Sequence, residues 1–132
     1  MTTHPHQPAK LGRDKSLKSR ISIDALFKRG ERTKAYPLLF MHRFVAAADE
    51  APFQLVYAVP KRSFRRAHER NFIKRRMREA VRLQQTKLLD FIPVADQRIE
   101  GVLLYTGRDL PTTHQLARSF DKLLNRLSAK LA

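Results

Sequence analysis

The sequence predicts an α+β domain in which helices pack against a mixed β-sheet. Three observations carry this expectation. Apolar residues recur at helical spacing in three segments. In three others they alternate or run together as strands do, and the two kinds follow in the order α-β-β-α-β-α. The chain has 132 residues, the size of one ordinary domain.

Residues 1–15, MTTHPHQPAKLGRDK, are polar, proline-containing and aperiodic. They are expected to form a flexible basic arm, leaving residues 16–132 as a single domain. His4 and His6 have no further ligands beside them and read as part of a polar tail. Ser22 then offers a helix N-cap, Ile23, Leu26 and Phe27 follow at i, i+3 and i+4, and Gly30 supplies the stop. From Pro37 the run PLLFMHRFV reads as a strand. After a loop around Asp49 to Pro52 comes FQLVYAV, whose Phe53, Leu55, Tyr57 and Val59 share one strand face. The short connection predicts that these two strands pair antiparallel. A long helix is expected from about Arg66 to Leu88, then a break at Pro93 and a strand over Ile99 to Thr106. Thr112 or Thr113 caps a last helix, in which Leu116, Phe120, Leu123, Leu124, Leu127 and Leu131 recur at helical spacing.

Charge narrows the function. Twenty-seven Lys and Arg against twelve Asp and Glu give a formal net charge of +15. A compact chain of that charge repels itself, and an anionic partner relieves the repulsion. Nucleic acid is the commonest such partner. No apolar run approaches the roughly 20 residues that cross a bilayer, and the N-terminus has no apolar block of a secretory signal. Cysteine is absent, which removes disulfides, thiolate ligands and thiol nucleophiles. A cytoplasmic location fits these features.

The charge is concentrated. Residues 61–78, KRSFRRAHERNFIKRRMR, hold nine basic residues and one acid, Glu69. Even spreading would put fewer than four basic residues in such a window. With an advance of about 100° per residue, Ile73, Met77, Ala80, Val81, Gln84 and Leu88 fall within one arc, while Asn71, Lys74, Arg75, Arg78 and Arg82 fall on the opposite one. The first stripe suits docking on a sheet. The second presents four cations and an amide: guanidinium forks match phosphate oxygens, and Asn can donate to and accept from a base edge or 2′-hydroxyl. A merely solvated face usually alternates signs at i, i+4, and this one carries no acid.

The string RRAHERNFIKRRMREAVRL resembles the helix of the bacterial ribonuclease P protein, whose hallmark is Arg-Asn-Arg followed by Ile-Lys-Arg and a further Arg. Arg70, Asn71, Ile73, Lys74, Arg75 and Arg78 match that pattern. Phe72 stands where the family usually has Arg, so one phosphate contact is either lost or supplied by a neighbour such as Arg76. The resemblance extends to LKSRISIDALFKRG and to AVPKR at Ala58 to Arg62, and spans about residues 15–127.

The resemblance implies a two-layer α/β sandwich. Its mixed four-stranded sheet carries about three helices, and the long basic helix forms a left-handed β-α-β crossover. The fourth strand is then short, or lies around Thr33 to Tyr36. It further implies a protein subunit that binds a catalytic RNA and the 5′ leader of precursor tRNA, assisting endonucleolytic removal of the leader. Catalysis would reside in the RNA, with Mg²⁺ held mainly by that RNA, and neither a membrane nor an obligate protein partner is implied. The implied RNA-binding residues are Arg70, Asn71, Lys74, Arg75, Arg78 and Arg82 on the helix, with Lys61, Arg62, Arg65 and Arg66 at the strand end. In the implied leader cleft, Phe27 matches a family aromatic and Ile23 falls where a second Phe is often found. On the first strand either Phe40 with His42 or Leu39 with Met41 lines the cleft, since a one-residue slip exchanges the faces; Phe40 is the expected partner of Phe27. The residues themselves show no catalytic constellation and no metal-ligand spacing. His68, flanked by Arg66 and Arg70, suits a helix-start surface position better than a general acid. A ribosomal protein would share the charge but not the RNFIKRRMRE string. A helix-turn-helix protein needs a helix where the segment before Arg66 reads as strand, and a stand-alone nuclease needs an acidic cluster for metal.

Overall fold

In a computed structural model of the chain, the described residues are 16–46, 52–90 and 97–131. The expected arm at residues 1–15, most of the loop around Asp49, and the break at Pro93 lie outside them. The elements are α1 (Arg20–Arg29), β1 (Glu31–Ala35), β2 (Leu38–Ala46), β3 (Phe53–Ala58), α2 (Ala67–Leu83), α3 (Gln85–Leu89), β4 (Gln97–Tyr105) and α4 (Thr113–Leu131). One mixed sheet has the order β1-β2-β4-β3. The pairs β1–β2 and β2–β4 are antiparallel and β3–β4 is parallel.

The expected β2–β3 hairpin is corrected by this order, because β4 lies between the two strands. The reason is burial. Ile99 to Leu103 are buried without interruption, whereas β3 alternates buried and half-buried residues. Continuous burial marks a strand in the middle of a sheet covered on both faces, and an alternating pattern suits an edge. The fourth strand is β1, short as expected and two residues earlier than Thr33. Four helices replace the three expected, because the long helix breaks at Gln84, where φ −122° and ψ 20° leave helical geometry. The Gln84 side chain donates to the Ala117 carbonyl at 2.5 Å, fixing the break against α4. The first helix starts earlier than expected: Ser19, not Ser22, is the N-cap, its hydroxyl accepting from the Ser22 backbone N–H at 3.2 Å. Thr112 caps α4 in a reciprocal box, its hydroxyl accepting from Gln115 N–H while the Gln115 side chain accepts from Thr112 N–H, both at 3.0 Å.

The two sheet faces hold separate clusters. Under α2 and α4 lie Leu38, Phe40, Phe53, Leu55, Tyr57, Ile99 and Leu103, packed on Ile73, Met77, Phe120 and Leu124 among others. Under α1 lie Leu17, Leu26, Met41 and Val102. The α1 face also carries a buried carboxylate, Glu100, bonded by Arg43 at 2.9 and 3.1 Å and approached by Arg98 at 3.4 Å. Arg43 also donates to the Ser22 hydroxyl at 3.2 Å, which ties α1 to β2.

Candidate nucleic-acid interface

The interface begins with the phase of α2. Ile73, Met77, Ala80 and Val81 are buried, as the 3.6-residue period requires, so the helix turns Asn71, Arg75 and Arg78 outward and leaves Lys74 half-buried beside them. No ion pair among the described residues engages Lys74, Arg75 or Arg78. Arg78 lies over the Tyr57 ring at 5.2 Å, a cation–π contact that orients the guanidinium without neutralising it. Burial pushes the Tyr57 hydroxyl above its ordinary pKa, with the Arg78 charge opposing. Lys61, Arg62, Arg65 and Arg66 are all exposed in the turn between β3 and α2, extending the cationic surface past the helix start.

Two residues of the expected set have other work. Arg70 donates to the carbonyls of Phe64 and Arg65 at 2.7 and 2.8 Å, holding the basic turn against the helix. Its guanidinium thus shapes the surface rather than reaching outward from it. Arg82 forms a two-pronged pair with Glu79 at 2.9 and 2.7 Å, and those bonds hold the Glu79 carboxyl below its ordinary pKa. The stripe itself carries no acid, but Glu79 flanks it one turn before Arg82, at i, i+3, and offsets the charge of its C-terminal end. Phe72 is half-buried against the core, and Arg76 lies over its ring at 4.2 Å. An aromatic–Arg stack thus occupies the position at which the resemblance implies an Arg.

The groove lies on the opposite face. Along β2 the register places Phe40 across from Leu103 and Met41 across from Val102. Phe40 is fully buried in the α2–α4 cluster, which corrects its assignment to the cleft. Its ring fits there because position 101 is glycine: a Cβ on Gly101 would come within 2.5 Å of it. His42 follows it onto that face, stacked on Phe40 at 5.3 Å. The other register holds, with Met41 buried under α1 and Leu39 half-buried beyond it. Leu39, Leu104 and Ala58 form one transverse row of the sheet, all half-buried. The helical phase that buries Leu26 and turns Ser22 to Arg43 leaves Phe27 on the opposite flank of α1. Phe27 is 42% exposed, and Ile23 packs half-buried against the α1-side cluster. The row runs on into a hollow lined by Pro60, Arg62, Ser63, Leu104, Thr106 and Arg108. Two cations, Arg62 and Arg108, therefore stand at the end of an apolar floor. Arg108 is a member that sequence reasoning missed, since one Arg in a loop after a strand carries no periodic signal.

Among the described residues no three His, Asp or Glu side chains gather as metal ligands. No described helix is long and apolar enough to cross a membrane.

A family model described as Ribonuclease P matches residues 11–128. The chain belongs to the ribonuclease P protein family. A ribonuclease P protein component of Porphyromonas gingivalis is 30% identical over 126 residues, covering 94% of this chain and 92% of that one. That of Chlorobaculum tepidum is 33% identical over 105 residues, covering 74% and 68%. The fold is similar to that of the solved Staphylococcus aureus RNase P protein, with TM-score 0.59, 20% identity and coverage of 84% of this chain and 93% of that one. The mixed four-stranded sheet with helices on both faces is therefore the family's fold.

Proposed function

We propose that this chain is the protein subunit of a ribonuclease P, a cytoplasmic ribonucleoprotein that removes the 5′ leader of precursor tRNA. In this assembly α2 and the turn before it bind the catalytic RNA. The groove beside α1 receives the single-stranded leader. The observation that carries the proposal is the unpaired cationic face of α2, Lys74, Arg75 and Arg78 with Asn71, standing beside an exposed basic turn in a chain of this family. Such a face gains most from closely spaced phosphates, where each cation releases a condensed counterion. A groove with an apolar floor and an aromatic wall suits unpaired bases, whose π-faces are available for stacking. Bond breaking belongs to the RNA, with Mg²⁺ held by phosphates. The protein's part is to offset phosphate repulsion and to position the leader.

The test is recovery of the tagged protein from cells followed by sequencing of the bound RNA. One structured RNA of several hundred nucleotides that cleaves precursor tRNA when mixed with the protein is the expected result. Recovery of ribosomal RNA instead would overturn the proposal.

A further inference from the structure

We infer that the hollow between the β1–β2 turn and the start of α4 is a second RNA site, which takes an unpaired nucleotide of the leader beyond the groove. Its base would lie on Tyr36 and its phosphate between Arg118 and Lys122. The inference rests on the proposed leader-binding role of the groove and extends it.

The hollow, of about 360 Å³, is lined by Tyr36, Arg108, Arg118, Ser119 and Lys122 among others. Tyr36 is 68% exposed, an unusual position for an aromatic that gains most from being covered. It is also held in place: Ser119 donates its hydroxyl to the Tyr36 carbonyl at 3.2 Å, which fixes the turn against the second turn of α4. Arg118 and Lys122, at i and i+4, stand on one face of that helix on either side of the Ser119 anchor. Both are exposed, and no ion pair among the described residues uses either. Asp109 is the one carboxylate in the lining, against three cations. The wall that bears Arg108 is fastened as well, because the Tyr105 hydroxyl donates to the Asp109 carbonyl at 2.5 Å.

Continuity points to the ligand. Arg108 lines this hollow and also the end of the leader groove. A single strand that lies along Leu39 and Leu104 and leaves past Arg62 meets Arg108 and then Tyr36. A ring with flanking cations is the arrangement that holds an unpaired nucleotide without reading its sequence. The cationic surface thus turns the corner of the molecule from one sheet face toward the other.

The experiment compares leaders of roughly 4 and roughly 12 nucleotides, within the span of single-strand sites on compact domains, using holoenzyme reconstituted with the full chain. The longer leader should bind wild-type holoenzyme more tightly. Arg118→Gln with Lys122→Gln should remove that gain, about tenfold, and lower the log–log salt slope by about 0.7 per lost phosphate contact. Tyr36→Leu should remove part of the gain without changing the slope, and Tyr36→Phe should restore it. All three side chains are exposed, so thermal midpoints should stay within a few degrees of wild type. The inference is overturned if the long leader gives no gain, if the gain survives these variants, or if they weaken assembly with the catalytic RNA equally whatever the leader. Phe27→Leu is the separate control: loss of its effect on both leaders would sink the groove itself.

Discussion

Phe27 and His42 show how one residue's neighbours set its role. Phe27 keeps 42% of its surface exposed on the flank of α1, where an unpaired base could cover it. Replacement by Leu keeps most of the apolar volume and removes the stacking face. Phe27→Leu should therefore weaken holoenzyme binding of leader-bearing tRNA by about 1–3 kcal/mol and leave mature tRNA unaffected. Equal losses for both substrates, or a lower melting temperature with no binding change, would make it a packing residue. His42 is the opposite case. Burial pushes its imidazole below the ordinary 6.5, Glu31 opposes the shift and Lys130 adds to it. Its Nδ1 has no hydrogen-bond partner among the described residues. Because the folded pKa is the lower one, the unfolded chain takes up a proton first as pH falls. The stability that neutral His42 contributes is complete above about pH 6.5 and drains away below it, toward the folded value. Melting temperature measured across pH 5 to 7.5 should fall on the acid side, roughly in that range. In His42→Leu the same curve should be flatter; an unchanged slope would mean that other groups titrate there.

At the scale of elements, α2 and α4 are both amphipathic and cationic but place their charges differently. In α4, Arg126 and Lys130 donate to the carbonyls of Lys34 and Arg32 on β1, and Ser119 to that of Tyr36. The helix thereby caps the outward carbonyls of an edge strand, which would otherwise offer a template for pairing with another chain. The same i, i+4 row begins with Arg118 and Lys122, left over for a ligand. In α2, by contrast, no ion pair among the described residues uses Lys74, Arg75 or Arg78. Lys74→Ala with Arg78→Ala should thus weaken RNA binding and reduce the log–log salt slope by roughly one per lost phosphate contact. The fold should persist, because neither side chain belongs to the apolar stripe. Filter binding over a salt series checks this, and normal binding by the double variant would move the main RNA surface elsewhere.

For the molecule as a whole, a formal +15, with cations exposed on α2, the basic turn and α4, predicts a protein that screens phosphate rather than one that breaks bonds. Protein added to its RNA partner should lower the Mg²⁺ and salt that the RNA needs for leader removal. Protein alone should leave precursor tRNA intact; leader removal by a preparation exhaustively treated with ribonuclease would contradict this.

Residue spacing alone dictates the α+β class, the buried stripe of α2, the Gly30 stop and the outward phase of Asn71, Arg75 and Arg78. All of these follow from local periodicity, which depends only on residue spacing along one element. Packing between elements settles what spacing cannot reach. Phe40 and Leu39 differ by one residue, and only the space above Gly101 and the seat of α1 settle which faces the groove. The insertion of β4 between β2 and β3 depends on which strand is covered on both faces, and the pairing of Arg82 with Glu79 on which rotamers meet. Arg108, Arg118, Lys122 and Tyr36 come from three separate stretches of chain. They become neighbours only because β1 and β4 end, and α4 begins, at the same end of the sheet, a long-range closure that no local pattern records.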